Sequence, residues 1–379
     1  MALSLDAVRT SADLDLLRSQ VRDFVAAEVA DGRITPRVNS WQTGWDPDFS
    51  RRLGSRGWLG MTFPAEYGGV AAGAPARFAV TEELLAAGAP VAAHWVADRQ
   101  SGPAILRFGT EEQKHEFLPG IARGETFFAI GMSEPDSGSD LASVRTRGER
   151  IDGGWLLNGT KVWSSGAHAA HFMIVLARTA ARGDDRHEGL SQFLVDLAGP
   201  GVDIRPIRLL NGEHHFNEVV FTDAFVPDSR VLGEVGEGWR QVTSELALER
   251  SGPERILSTY PLLDAFLRES RSGADPATVG ALLARLRTLL AMSFAVAARL
   301  QEGYSPEVEA AVVKDLGTRF EGLVVDTVRQ LACVEPDPAA DGTLAGMLAE
   351  AVQHVPSFTL RGGTNEILRG VIAKHLGAR

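Results

Sequence analysis

The stretch Phe172-Met173-Ile174-Val175-Leu176-Ala177-Arg178 breaks the pattern of the chain on both sides of it. It is short, rich in β-branched and aromatic residues and flanked by polar turns, which marks a strand. Ser191 to Leu197, Val202 to Leu209 and Asn217 to Thr222 repeat the signal. Asn158-Gly159 lies between Trp155-Leu156-Leu157 and Lys161-Val162-Trp163, and predicts a hairpin turn there. Residues 126–232 therefore read as a small antiparallel β domain.

Outward from this centre the period changes. Ser11 to Ala30 places Leu14, Leu17, Val21, Phe24, Val25 and Val29 at three- and four-residue spacings, one face of a helix. Helical pattern returns from Phe78 to Ala87 and from Glu111 to Ala122. Beyond Gly238, Trp239, Val242, Leu246 and Leu248 open a long helix, and periodic stretches run from Val279 to Leu300, Glu307 to Cys333 and Leu344 to Val355. Thr364 is a suitable N-cap for a last helix ending at Gly377. The expected fold class is α+β multidomain. A helical domain covers 1–125, the β domain 126–232 and a helical bundle 233–379.

The chain has 379 residues, with 38 basic and 49 acidic side chains and a net charge of −11. That balance gives no electrostatic footprint for nucleic acid or an anionic membrane. Met1 to Ser11 shows no targeting pattern, and no window reads as the roughly 18 apolar residues of a membrane span. The expected location is cytoplasmic. The single cysteine, Cys333, excludes an internal disulfide. It follows Leu331 and Ala332, so a buried place in a helix interior is expected. His214-His215 sits in a polar stretch and reads as a solvated pair, not a metal site. Gly233, Gly236 and Gly238 follow no βαβ strand, so a dinucleotide fingerprint is weak.

Four segments carry chemistry. Met132-Ser133-Glu134-Pro135-Asp136-Ser137-Gly138-Ser139-Asp140 is dense in small residues and backbone donors: a tight turn, or a loop that approaches a ligand closely. Asn158 to Gly166 holds Trp163 before Ser164 and Ser165: a core tryptophan, or an aromatic wall beside polar groups. In Leu248-Glu249-Arg250-Ser251-Gly252-Pro253 a carboxylate sits in apolar helical context, four residues before a proline that breaks the ladder. It is either a surface ion pair or a ligand-facing group. Arg361-Gly362-Gly363-Thr364-Asn365-Glu366-Ile367 leads glycines into a helix N-terminus, as a plain turn or as an anion or ring-edge site.

Together, in this order and at these separations, the four segments resemble the acyl-CoA dehydrogenases over nearly the whole chain. Gly57-Trp58-Leu59-Gly60 through Pro64-Ala65-Glu66-Tyr67-Gly68-Gly69 looks like that family's N-terminal signature, and Gly109 to Gly124 like its lead into the β domain. The resemblance implies an N-terminal helical domain, a middle β-barrel, a C-terminal four-helix bundle and FAD as cofactor. It implies that Ile130, Met132, Ser133, Gly138 and Ser139 line the flavin, with Ser139 also beside the thioester and pantetheine arm. Trp163 would cover one face of the isoalloxazine, Ser164 and Ser165 would hydrogen-bond it, and Thr364 and Glu366 would meet the cofactor.

Many family members carry the catalytic Glu just before the Gly-Thr of the last motif, where this chain has Gly362. Another branch uses a Glu before an Arg on the first bundle helix, which Glu249-Arg250 matches. The resemblance thus implies Glu249 as base, and Arg250 as a catalytic-site and substrate-side cation. It also implies an acyl-CoA substrate and reoxidation by an electron-transferring flavoprotein.

Two family elements are missing. Arg271-Ser272-Gly273-Ala274-Asp275 stands where Arg-x-x-Phe-Gly is usual, and Glu335-Pro336-Asp337-Pro338 where Gln-x-x-Gly-Gly-x-Gly is usual. In family homodimers these reach the adenosine end of the cofactor across the interface. Either Arg285 or Arg287 substitutes within a homo-oligomer, or a paralogous subunit supplies them in a hetero-oligomer. Two rival readings stand beside the dehydrogenase: a flavin oxidase or N-oxygenase on the same fold, and a non-catalytic partner subunit.

Overall fold

The structure, a computed structural model, describes residues 12–181, 183–269 and 275–377; of residues 245–249 it describes the backbone alone. Met1 to Ser11 and the Arg271–Ala274 run lie outside the described residues. Packing gathers the chain into two compact units, Trp45–Ala71 with Ala92–Glu245, and Met1–Gly44 with Ala72–Val91 and Leu246–Arg379.

The first unit is built on eight strands: β1 (Phe128–Gly131), β2 (Arg147–Ile151), β3 (Gly154–Ser165), β4 (Phe172–Arg178), β5 (Leu190–Asp196), β6 (Val202–Ile207), β7 (Phe216–Pro227) and β8 (Val231–Leu232). They run in the order β6-β7-β3-β2-β4-β5-β8, with β1 on β4. The expected closed antiparallel barrel is instead an open, mixed sheet, because β1 and β2 pair parallel with β4. Its two ends explain why it stays open. β6 contains Pro206, which has no N–H for a further neighbour, and β8 is two residues long.

β4 is buried on both faces, which is why its sequence does not alternate. Met173, Val175 and Ala177 pack with Trp155, Leu157, Phe193 and Val219, whereas Ile174 packs with Phe117, Phe128 and Leu194.

The expected hairpin at Asn158-Gly159 is absent, for β3 runs straight through it. The turn falls instead between β2 and β3, at Asp152-Gly153, where Gly153 has φ +75°. Both dipeptides satisfy the same local turn chemistry. The register that buries Trp155 and Leu157 selects between them. At Gly159 the ladder slips, and a Cβ there would lie 2.5 Å from Thr146 Oγ1.

In the second unit the helix Glu307–Leu331 is central. It packs against Tyr260–Glu269, Pro276–Gln301, Leu344–Phe358 and Asn365–His375. Ala12–Ala30 packs on Ala74–Ala86, which joins Pro276–Gln301 through the Phe78 and Phe294 rings, 5.4 Å apart. Against expectation, Pro276–Gln301 is by length and composition apolar enough to cross a membrane, with mean hydropathy 1.6 over 18 residues. One face of it packs into the bundle, burying Leu282, Leu286, Leu289, Phe294 and Val296.

Two further expectations are corrected. Cys333 is exposed, because the helix stops at Leu331 and leaves it in the following turn. His215 is buried, because β7 starts at Phe216 and draws it against the sheet, while His214 Nε2 lies 2.8 Å from Asn217 Oδ1.

Candidate active site

In the β unit, β1 delivers the chain into the Met132–Asp140 loop. Ile130, Met132 and Ser133 are half-buried, while Gly138 and Ser139 are exposed. The loop is a tight turn: Glu134 N donates to Ser137 O at 2.7 Å, and Ser137 N returns a bond to Glu134 O at 3.1 Å. A Cβ at Gly138 would meet nothing within 4 Å, so that backbone lies open to close approach. The Glu134 carboxylate is turned inward and accepts from Arg145 N at 2.6 Å, Thr146 N at 2.8 Å and Lys161 Nζ at 2.8 Å. Burial alone would push its pKa up; the Lys161 ammonium and these hydrogen bonds outweigh burial and hold it below the usual carboxylate range.

Beside the loop, β3 bulges between Lys161 and Ser164. Trp163 sits in this bulge with φ +60° and is 56% exposed. A left-handed backbone costs a bulky L-residue about 1–2 kcal/mol, and such strain concentrates at functional sites. The bulge turns Trp163 outward, with its ring edge-on to Phe216 at 5.7 Å. Ser164 turns inward, fully buried, and its hydroxyl finds no partner. Ser165 is half-buried and pairs with Phe216. Val162 N donates to Ser133 O at 2.9 Å, so loop and bulge are neighbours. Asn217 Nδ2 holds the Ser164 carbonyl at 2.9 Å.

In the helical unit, Glu249 stands on the last turn of the helix Gly238–Arg250; its side chain lies outside the described residues. The helix ends at Arg250, before Pro253. Arg250 is half-buried, and its guanidinium lies 3.5 Å from where a Gly363 Cβ would stand. Gly362 and Gly363 both adopt positive φ, +68° and +84°. Gly362 offers no carboxylate, so the turn itself supplies no base. Thr364 caps the last helix by accepting from Ile367 N, and Glu366 is exposed on its first turn. Its own backbone N–H and the Thr364 hydroxyl lower the Glu366 pKa.

Two buried cations lock this turn. Lys314 Nζ donates to Gly363 O at 2.7 Å, Asn365 Oδ1 at 2.6 Å and Thr359 O at 3.1 Å. Arg361, with an 8% exposed side chain, reaches Glu321 at 3.2 Å, Asn39 and Ser258, and its guanidinium lies over the Trp41 and Phe358 rings. Burial lowers the Arg361 pKa to about 10 and raises that of Glu321, in each case against the pull of the partner.

The structure thus groups Ile130, Met132, Ser133, Gly138 and Ser139 with Trp163, Ser164 and Ser165 in one unit, and Arg250 with Gly362, Gly363 and Thr364 in the other. Arg285 and Arg287 are exposed on the helix Pro276–Gln301, and Glu335 to Pro338 form an exposed connection. Sequence reasoning missed Lys161, Glu134, Asn217, Lys314 and Glu321. Lys314 follows the apolar run Ala310 to Val313, which places it on a helix but does not show that it is buried.

Residues 11–125, 129–224 and 277–377 match the N-terminal, middle and C-terminal domains of the acyl-CoA dehydrogenases. The chain belongs to the acyl-CoA dehydrogenase family. FadE34 of Mycobacterium tuberculosis is 32% identical over 99% of this chain, and the chain spans about half of that relative, 51%. IpdE1 of the same organism is 32% identical over 96% of this chain and 97% of its own length. Among solved structures, one titled as the Tcur3481-Tcur3483 steroid ACAD superposes with a TM-score of 0.87 at 28% identity, over 98% of this chain and 99% of that one. The ChsE4-ChsE5 complex from Mycobacterium tuberculosis gives 0.81 at 26%, with 98% and 99% covered.

Proposed function

We propose that this chain binds FAD and catalyses the α,β-dehydrogenation of an acyl-CoA thioester to the trans-2-enoyl thioester, with Glu249 as base. One observation carries the flavin reading: Trp163, outward and strained, stands beside a buried Ser164 hydroxyl without a partner and a loop open at Gly138. An exposed tryptophan face suits a planar ring, and the open backbone at Gly138 suits its close approach. The residues present fit the group. Ile130, Met132, Ser133, Gly138, Ser139, Trp163, Ser164 and Ser165 would hold it in the β unit. When bound, FAD supplies the acceptor for the β hydrogen as hydride.

The chain's own part is proton chemistry and placement. The α proton of a thioester is weakly acidic, and hydrogen bonds to the thioester carbonyl stabilise the charge that develops as it leaves. Glu249 takes that proton. Arg250, held against the Gly362-Gly363 turn, places a cation on the adjacent helix residue. Ser139, exposed at the loop tip, is available to the pantetheine arm.

An electron-transferring flavoprotein is the proposed acceptor. The oligomer we propose is hetero-oligomeric. The Arg271–Asp275 and Glu335–Pro338 segments lack the family's adenosine-side residues, and two of the similar solved structures are titled as two-protein assemblies. Poor FAD retention by the lone chain, restored by a paralogous subunit, is the expected result. Full, tight occupancy in the lone protein would sink it.

The decisive experiment is an anaerobic titration of the FAD-loaded protein with straight-chain, branched and steroid side-chain acyl-CoAs, following flavin absorbance. Bleaching by one of them is expected. A bound flavin that no thioester reduces, in a protein that consumes oxygen with another substrate, would replace the dehydrogenase reading by the oxidase one.

A further inference from the structure

We propose that the buried Lys161–Glu134 ion pair is the spacer of the flavin site: it fixes the Met132–Ser139 loop against the Trp163 bulge and so sets how tightly, and in what environment, the flavin ring is held. This rests on the flavin reading above. Both residues are positioning residues, because both are buried: Lys161 fully, and Glu134 but for 7%.

The geometry is that of a tie between two walls. Lys161 lies on β3, two residues before Trp163, with its stem over Gly131, where a Cβ would stand 3.2 Å from Lys161 Cγ. Its Nζ reaches Met132 O at 3.1 Å and Glu134 Oε1 at 2.8 Å, two atoms of the same loop. Glu134 then holds Arg145 N and Thr146 N, just before β2 begins at Arg147. The start of the loop and the approach to β2 therefore converge on one ion pair. The next backbone group along β3, Val162 N, bonds Ser133 O at 2.9 Å. A change in the reach of the pair moves Ser133 relative to Trp163, the two walls on which a flat ligand would rest.

A charged pair is a costly way to fill a core. Replacement of such pairs by well-packed apolar residues is often neutral or stabilising, whereas breaking one is not. Burial pushes the Lys161 pKa down to about 8, against the pull of Glu134, so the cation is kept at a cost. What the pair supplies that an apolar plug does not is direction: fixed hydrogen bonds to named carbonyl, carboxylate and amide atoms. Sites need their supporting residues to hold them to fractions of an ångström.

The test is a FAD titration of the full chain to saturation, read by flavin fluorescence and by the visible absorption bands, with no substrate present. The variants are Glu134→Asp, which keeps both charges and shortens the reach by one methylene, and the double variant Glu134→Gln/Lys161→Met, which removes charge from both sides. The expected result is FAD affinity weaker by about tenfold or more in each, with shifted flavin bands, in apoproteins that melt as the unmodified chain does. Unmodified affinity and bands in either folded variant would overturn the proposal and leave the flavin reading intact. Failure of the unmodified chain to take up any FAD, both alone and with a paralogous subunit present, would overturn the flavin reading itself, and this proposal with it.

Discussion

Two lysines without exposed surface, Lys161 in the β unit and Lys314 in the helical unit, each organise a loop that carries candidate site residues, and they are held differently. Lys161 meets a carboxylate, Glu134, and one loop carbonyl. Lys314 meets the carbonyls of Thr359 and Gly363 and the amide oxygen of Asn365. Thr359 is the C-cap of the helix Leu344–Phe358, where a cation is favoured by the helix dipole as well as by hydrogen bonds. The paired lysine sits beside a strained, exposed tryptophan. The carbonyl-bound one supports two consecutive left-handed glycines. The buried carboxylates differ in the same way. Glu134 lies below its usual pKa because its partners win, and Glu321 above because burial wins. Charge is kept inside both units, and in each it holds irregular backbone in a single conformation.

The sharpest way to break this division of labour is at the proposed base. Glu249→Gln should lower turnover by about a thousandfold while FAD stays bound, read by anaerobic acyl-CoA reduction. Unchanged turnover would move the base elsewhere and leave the helical side a scaffold. Next in size is Lys314→Met, which leaves three oxygens without their cation. A loss of about 3 kcal/mol is expected by urea unfolding. A loss near zero would mean that the glycine turn does not depend on its lysine.

Trp163→Gly probes the β side with opposite signs. Relief of the left-handed strain should add about 1 kcal/mol of stability, while FAD binding weakens by about tenfold. A loss of stability would show that the ring is structural. The smallest effect is the pH dependence. The folded pKa of Glu134 is depressed, so its contribution is present above the unfolded value near 4.5 and is lost as pH falls through the folded pKa. Glu321 is raised, so its contribution is present below 4.5 and is lost as pH rises through its folded pKa. Unfolding curves for Glu134→Gln and Glu321→Gln across this range should differ from the unmodified chain in opposite directions. Changes of the same sign would erase the contrast.

Much of the fold was legible locally. Phe172–Arg178 and Glu111–Ala122 keep the bounds that the sequence assigns, because a strand run and a capped helix are set by neighbouring residues; Thr110 and Gln113 form the capping box of the latter. The turn at Gly153 was not legible, because Asp-Gly and Asn-Gly are equal as local signals and only the cross-strand register separates them. Cys333 and His215 were misplaced because each lies at the end of an element, where one residue decides between burial and solvent. For the site, Trp163 and the glycine turn were named by the family resemblance, while composition left each with a plain structural reading, and neither named their supports. Lys161 reaches Glu134 across 27 residues, and Lys314 reaches Gly363 across 49. No short-range pattern distinguishes a lysine that snorkels from one that is buried and paired.

By itself the sequence determined the order of helices and strands and the small-residue loops of the site, since period, caps and turn residues act within a few positions. The tertiary structure alone decided that the sheet stays open, that Trp163 faces outward while Ser164 faces in, and that buried cations hold the loops. Those outcomes depend on register and on charge partners brought together from distant parts of the chain.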